Sequence, residues 1–368
     1  METVTQSAVR RSAHPYHIYD AIQQQPDRIA QLLENTGAEI ERAAEAAASR
    51  QRLVLAGIGS SYHAALIGAH FLRHLSGGRT VPLVEHSFEF VHYPFVIDSA
   101  DMGIIISHGG SNDSLRAMNL FSSAGSGTIA VVGREAGDQL KSADIVIPTC
   151  EREDSFAHTK SYTTALAALA AFSVQLAQRR GWIGNDSEAR AAVDRLPGRM
   201  RAALGAESKA REAAREIAMR KRWIFAGAGP NWPTACEGAL KVKETSYLPA
   251  DGFETEQFLH GPQAELDSRA AVTVFLTGGP TDQRAKQLLG LCGELGVLRV
   301  AVAAAGVNEI PAEYSIEVPE TAEWLSPFVQ VVAAQLLSYF VALECGSNPD
   351  TGREDHAAYV RARRHIES

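Results

Sequence analysis

The chain has 368 residues, 45% of them hydrophobic, and a formal net charge of -8. That is enough apolar material for two or three cores of roughly 100–200 residues each, and an acidic balance with no block of five or more like charges excludes a nucleic-acid partner. Four widely separated cysteines, Cys150, Cys236, Cys292 and Cys345, show no C-x-x-C spacing, so buried free thiols are expected in place of a zinc site or a disulfide framework.

The N-terminal METVTQSAVRRSAHPYHIYDAI holds no apolar core of signal-peptide length, and no window approaches 18 uninterrupted apolar residues. A cytoplasmic protein with no membrane partner is therefore expected. Residues 16–50 carry helical periodicity. LVLA, at 53–56, is an apolar run of strand length; Gly57, Gly59, Ser60 and Ser61 form a turn, and 62–72 is helical by period. The unit recurs as a strand at 103–107, the turn HGGSND, and a helix over SLRAMNLFSSA. Short strands at 128–133 and 144–148 come next, then a long apolar helix over SYTTALAALAAFSVQLAQ.

After a polar, Arg-rich linker around 185–215 the pattern starts again. WIFAGAGPNWPTACEGALKVKE parallels LVLAGIGSSYHAALIG some 170 residues earlier. AVTVFLTGG and LRVAVAA supply two more strands, and PFVQVVAAQLLSYFVALECG a helix buried on most of its circumference. Strands alternating with helices predict an α/β fold of two similar lobes, each a parallel sheet flanked by helices.

The most informative stretch is EGALKVKETSYLPADGFETEQFLHGPQAELD, at 237–267. Its small and apolar positions approximate helical spacing and put Lys241, Lys243 and Glu244 on other faces; a carboxylate between two lysines is ordinarily a solvated helix face. The segment beyond Glu244 shifts the balance toward chemistry. Residues 247–260 lack regular periodicity and end in His260-Gly261-Pro262, where Gly and Pro hold the imidazole on a turn. Loops held by rigid elements are where catalytic groups tend to sit.

Three Gly/Ser turns compete for an anion: Gly59-Ser60-Ser61, Ser107-His108-Gly109-Gly110-Ser111-Asn112, and Gly227-Ala228-Gly229. None carries a P-loop lysine or the G-x-G-x-x-G pattern, so nucleotide binding is not expected. His158 precedes a helix with Thr159 as its N-cap, a position suited equally to capping, packing or ligand contact. Glu89, beside His86 and His92, reads as structural at a strand edge, and the histidines do not fall at metal-ligand spacing with an acid.

With these motifs the chain resembles the SIS (sugar isomerase) family over most of its length, as two tandem SIS lobes. It is similar to the isomerase half of glucosamine-6-phosphate synthase and to stand-alone sugar isomerases, amino-sugar deaminases and fructosyl-amine deglycases. EGALKVKETSY…HGP carries the resemblance most specifically, with its 16-residue interval from Glu244 to His260. GSSYHAAL, SHGGSND and HTKSYTTAL match the first lobe's sugar-anion loops more loosely.

The resemblance implies doubly wound, three-layer lobes at 46–190 and 205–345, helices at 1–45, and a tail at 346–368 that contributes to the active site. It implies that Glu244 moves a proton between C1 and C2 through a cis-enediol or enediolamine. His260 is then the group that opens the sugar ring, often from the neighbouring subunit, which implies a homodimer with shared active sites. Lys241 and Glu237 line or brace the same pocket, and Gly59, Ser60, Ser61, the Ser107–Asn112 loop and His158 meet the sugar and its anion. No metal or cofactor is implied. The synthase's amidotransferase half, with its N-terminal cysteine nucleophile, has no counterpart, so glutamine-dependent synthesis is not expected.

Two departures bear on the substrate. The family's tail reads NPDxPRxLxK, whereas this chain has NPDTGREDHAAYVR; Arg353 remains, and His356 or Arg361 is the stand-in expected for the lost lysine. The family's anion loop reads Ser-x-Ser-Gly-x-Thr, and here Gly109 and Asn112 replace two hydroxyls. Fewer hydroxyls suit a less charged head group. The expected partner is a small anionic sugar, a hexose bearing phosphate or a sulfonate at C6, as in 6-deoxy-6-sulfoglucose, with Ser107, Asn112, the Gly109 and Gly110 amides and His108 around the anion. An aldose–ketose isomerase is the leading expectation. A deaminase or deglycase using the same Glu and His is the nearest rival, and a non-catalytic sugar-phosphate sensor is disfavoured because both Glu244 and His260 are present.

Overall fold

The computed structural model describes residues 9–185 and 187–366. Two five-stranded sheets form, and neighbouring strands in both are parallel. The first contains β1 (Arg52–Gly57), β2 (Leu83–His86), β3 (Asp101–Ser107), β4 (Gly127–Val132) and β5 (Ile145–Pro148), in the order β2-β1-β3-β4-β5. The second contains β6 (Arg222–Gly227), β7 (Ala250–Glu254), β8 (Ala270–Leu276), β9 (Leu298–Ala304) and β10 (Tyr314–Val318), in the order β10-β9-β8-β6-β7. Counted from its own first strand, each lobe has the same 2-1-3-4-5 order. The winding reverses between the first and third strands, and ligands of such sheets sit beyond the carboxyl ends at that point.

The apolar strands read as unbroken runs because both their faces are covered. Successive side chains point to opposite faces. Leu53 and Leu55 of β1 accordingly join one core with Met102, Ile104 and Ile106 of β3, while Val54, Ala56 and Ile105 join another with Phe90 and Phe121. In the second sheet Trp223 and Phe225 of β6 face that same first core, and Ile224 and Ala226 face a third. The inner core is thus common to both lobes. Phe71 of the helix Ser60–Leu75 stacks on Phe328 of the helix Ser326–Glu344, with ring centroids 6.2 Å apart. The latter helix is long and apolar enough by composition to cross a membrane, yet it lies buried in this shared layer.

Three strands escape the periodicity reading. β2, β7 and β10 lie at sheet edges and are short, with few buried positions. The stretch 247–260, expected to be irregular, forms β7 and the helix Thr255–Leu259. Gly252 hides β7 from a propensity argument, and the fold demands it: a Cβ there would lie 2.4 Å from the Cys236 Cα of the adjacent helix. Glu89 sits in the short helix Ser87–His92, not at a strand edge. Among the cysteines, Cys150 and Cys292 are buried free thiols as expected, but Cys236 is half-buried and Cys345 exposed.

Candidate active site

Beyond β1 the chain turns through Gly57 and Gly59 into the helix Ser60–Leu75. A side chain at Gly57 would put its Cβ 2.5 Å from the Ser61 carbonyl carbon, and Gly59 has φ 58°, so the turn is closed to other residues at the first position and strained at the second. The same constraint recurs at Gly227, where a Cβ would meet the Asn231 carbonyl oxygen at 2.1 Å. These matching turns bring the starts of the helices Ser60–Leu75 and Asn231–Thr245 to the seam between the lobes.

A buried polar ladder crosses that seam. The Ser60 hydroxyl donates to Glu237 Oε1 at 2.9 Å, and His63 Nδ1 lies 2.7 Å from Glu237 Oε2. Lys241 Nζ is 3.3 Å from Glu237 Oε1, 3.2 Å from Ser60 Oγ and 2.6 Å from Glu244 Oε2. Glu237 is 0% and Lys241 1% exposed, so neither lies on a solvated helix face as the spacing of charges had suggested for Lys241. The helix is enclosed by β6, β7 and the first lobe, and the charges are tolerated inside because each has an opposite partner. Burial pushes the Glu237 carboxyl up, but Lys241, His63 and Ser60 together hold it down at about 2. An ionised carboxylate can only accept, so His63 Nδ1 carries the proton. Glu244 is half-buried at the open end of the ladder, with one oxygen on Lys241.

A second network backs the carboxyl ends of β3 and β4. Glu153 is fully buried and accepts from the Thr159 amide and hydroxyl, each at 2.9 Å, and from the Ser161 amide at 2.9 Å and hydroxyl at 2.6 Å. Thr159 is therefore not the side-chain cap expected of it; the Glu153 carboxylate caps the helix Lys160–Arg179, where the helix dipole favours a negative charge. Burial raises the Glu153 carboxyl, and His158 with these hydrogen bonds brings it below its usual range. The Ser161 hydroxyl is also 3.2 Å from His158 Nδ1, and the His158 ring meets His108 edge to face at 5.3 Å.

Between these networks lies a cavity of about 30 Å³, with polar walls from Ser60, Ser61, His108, Thr149, His158, Ser161 and Tyr162. The space is on the scale of two or three water-sized groups, a small head group and not a whole hexose.

Of the residues singled out from sequence, Ser60, Ser61, His108 and His158 meet at this cavity, and Lys241 meets Ser60. Ser107 and Ser111 spend their hydroxyls locally: Ser107 Oγ accepts from the Ser111 amide, and Ser111 caps the helix Asn112–Ser123. Gly110 has φ 77° and turns the loop, while Gly109 and Asn112 are exposed. His260 is on the turn before Gly261, 71% exposed at its side chain and 2.9 Å from Glu256, away from the cavity walls. Arg353 does not reach the cavity either. Its guanidinium lies on Tyr247 at 4.4 Å and its amide donates to the Tyr247 hydroxyl, and His356 caps the helix Ala357–Arg363. Sequence reading missed His63, Glu153, Thr149, Ser161 and Tyr162; Ser161 and Tyr162 stand inside HTKSYTTAL, but nothing in spacing alone separates them from the helix's packing residues.

Two parallel sheets of identical order, joined through a common core with a ladder of charges at the seam, define a tandem sugar-isomerase-type α/β protein. The SIS domain model matches residues 47–175 and 216–344, and the chain belongs to that family. It is 30% identical over 355 residues to glutamine–fructose-6-phosphate aminotransferase (isomerizing) of Thermococcus kodakarensis. That match takes in 95% of this chain and 58% of the relative, so the chain spans little more than half the length of that relative. The C-terminal domain of glucosamine-fructose-6-phosphate aminotransferase from Francisella tularensis superposes with a TM-score of 0.85 at 22% identity, covering 93% of this chain and 99% of that one. Tagatose-6-phosphate ketose/aldose isomerase from Escherichia coli does so at 0.76 and 23% identity, covering 94% and 97%.

Proposed function

We propose that the protein is an aldose–ketose isomerase acting on a hexose with an anionic group, phosphate or sulfonate, at C6. The observation that carries this reading is the ladder Ser60–Glu237–Lys241–Glu244. It ties the anion-side turn of the first lobe to the candidate base of the second through hydrogen bonds of 2.6–3.3 Å. A sugar whose head group enters the first-lobe cavity extends toward Glu244.

In this mechanism Glu244 removes the proton from the carbon beside the carbonyl and returns it to the neighbouring carbon. Lys241 keeps that carboxylate aimed while remaining neutralised by Glu237 itself. General acid–base transfer of this kind is worth about 10² to 10⁴ in rate per group. His260, on an exposed turn, serves ring opening from a second copy of the chain, which makes the working unit a homodimer with shared sites. The chemistry the residues supply is proton transfer alone.

The test is to incubate the purified protein with glucose 6-phosphate and with 6-deoxy-6-sulfoglucose in deuterated water. The expected result is ketose formation with deuterium incorporated at the carbon next to the carbonyl. Release of ammonia or an amino acid from a 6-phosphorylated amino sugar or fructosyl-amine, without isomerisation of either aldose, replaces this reading with a deaminase or deglycase.

A further inference from the structure

Two buried polar atoms on the residues around the first-lobe cavity, the Tyr162 hydroxyl and His108 Nδ1, have no hydrogen-bond partner among the described residues. Tyr162 is only 3% exposed. A phenol buried without an acceptor is destabilising, and phenylalanine packs a ring equally well without that cost. A ligand that brings the missing acceptor removes it. The His108 ring packs on Gly133 and occupies the place a side chain there would need, with an added Cβ 2.7 Å from Nδ1 and Cε1.

The charges around the cavity are the second observation. Among the described residues no lysine or arginine lines it; the buried cation on Ser60, Lys241, is held between Glu237 and Glu244. One buried carboxylate, Glu153, stands behind it at the His158 and Ser161 side, while Glu237 beside Ser60 is neutralised by Lys241. The one lysine that His108 senses, Lys160, is 2.6 Å from Glu151 and so neutralised. Burial, then the His158 ring opposite, holds the His108 imidazole down at about 4, so the ring is neutral at physiological pH. Donors such as Tyr162 and His108, with no lysine or arginine among the described lining residues and a buried carboxylate behind them, accept one negative charge at less cost than two. Each further unit of uncompensated buried charge adds desolvation and repulsion.

We propose that Tyr162 and His108 are specificity-determining contacts to the C6 head group, and that they select a singly charged tetrahedral oxyanion, a sulfonate, over a dianionic phosphate. This rests on the isomerase reading above. Tyr162 donates its hydroxyl to a sulfonate oxygen, His108 presents its imidazole to the same group, and Ser61 on the adjoining wall completes the cradle.

At pH 8 a phosphate monoester is dianionic, so kcat/KM for 6-deoxy-6-sulfoglucose and glucose 6-phosphate compares the two charges directly. The sulfonate is expected to be preferred by about tenfold or more, the scale of one hydrogen bond to a charged group. Tyr162→Phe, which keeps the ring, and His108→Gln should each raise KM for the sulfosugar about tenfold while kcat stays within about threefold. Equal or reversed preference in the wild type overturns the proposal, as does an unchanged KM in both variants. The wild-type comparison does not depend on either variant folding. If neither sugar is turned over, the isomerase reading fails, and calorimetric binding of the same two sugars then decides the head-group preference alone.

Discussion

His63 and Glu237 stand 174 positions apart in sequence and meet with 2.7 Å between Nδ1 and Oε2, one from each lobe. Their contact makes the lobe interface electrostatic at its centre as well as apolar around it. Removing one partner of a buried ionic group leaves the other uncompensated, which costs about 3–5 kcal/mol. Glu237→Gln is therefore expected to lower the urea midpoint substantially, with Lys241 left leaning on Glu244 alone. The pH dependence has a definite sign. The Glu237 carboxyl is depressed from 4.5 to about 2, so its contribution is fully present above 4.5 and is lost as the pH falls through that window toward 2. Urea unfolding at pH 7, 4 and 3 should show the wild type losing more stability than Glu237→Gln; parallel losses in the two proteins would contradict this account.

Most of the architecture is legible in the sequence because hydrophobic runs such as Leu53–Ala56 and the β8 segment are long enough to announce buried strands, and their flanking glycines announce the turns. Edge strands such as β2 and β10 are short and half-covered, so they leave little pattern to read. At the site, local motifs point to Ser60, His108, His158 and Glu244. The pairing of His63 and Ser60 with Glu237 is invisible to spacing, because it exists only once two lobes distant in sequence are docked. Glu153 is hidden for a similar reason: it caps a helix that starts seven residues later through a looped-back backbone, not at a capping position.

Glu244 is the residue on which the proposed proton transfer turns. Glu244→Gln keeps the shape and can still accept from Lys241, so folding and ligand affinity should remain within about tenfold, while solvent-proton exchange beside the carbonyl falls by about 10² to 10⁴. Exchange followed by proton resonance in deuterated water measures this directly. Unchanged exchange would remove Glu244 from the mechanism.

Gly57 offers a test of how the turn supports the ladder. An alanine Cβ would lie 2.5–2.8 Å from the backbone of Ser61 and Tyr62, which no side-chain rotation can relieve. Gly57→Ala is expected to cost about 1–3 kcal/mol and to displace Ser60 from Glu237 and Lys241. Calorimetric melting should show the loss of stability, and KM for the sugar should rise with it. The equivalent Gly227→Ala, facing the Asn231 carbonyl oxygen at 2.1 Å, should destabilise at least as much.

His260 lies on an exposed turn, but it is not free. Glu256 accepts from Arg284 through Nε at 2.5 Å and through a terminal nitrogen at 2.8 Å, and the same carboxylate lies 2.9 Å from His260 Nε2. The Arg284 hydrogen bond, with smaller help from His260, holds Glu256 down at about 2, so the carboxylate is an acceptor and Nε2 carries the hydrogen. Nδ1 is then the ring atom that the proposed mechanism leaves to exchange a proton with the sugar. If that exchange occurs in a neighbouring subunit's cleft, two inactive variants should complement each other. Dimers of Glu244→Gln and of His260→Asn each lack one essential group in both sites, whereas a mixed dimer contains one site with both groups intact. Random reassortment makes half of the dimers mixed, so co-refolded or subunit-exchanged protein should recover up to about a quarter of wild-type activity. Separate homodimers should stay inactive. No recovery despite demonstrated subunit exchange would confine His260 to its own chain's site or exclude it from the reaction.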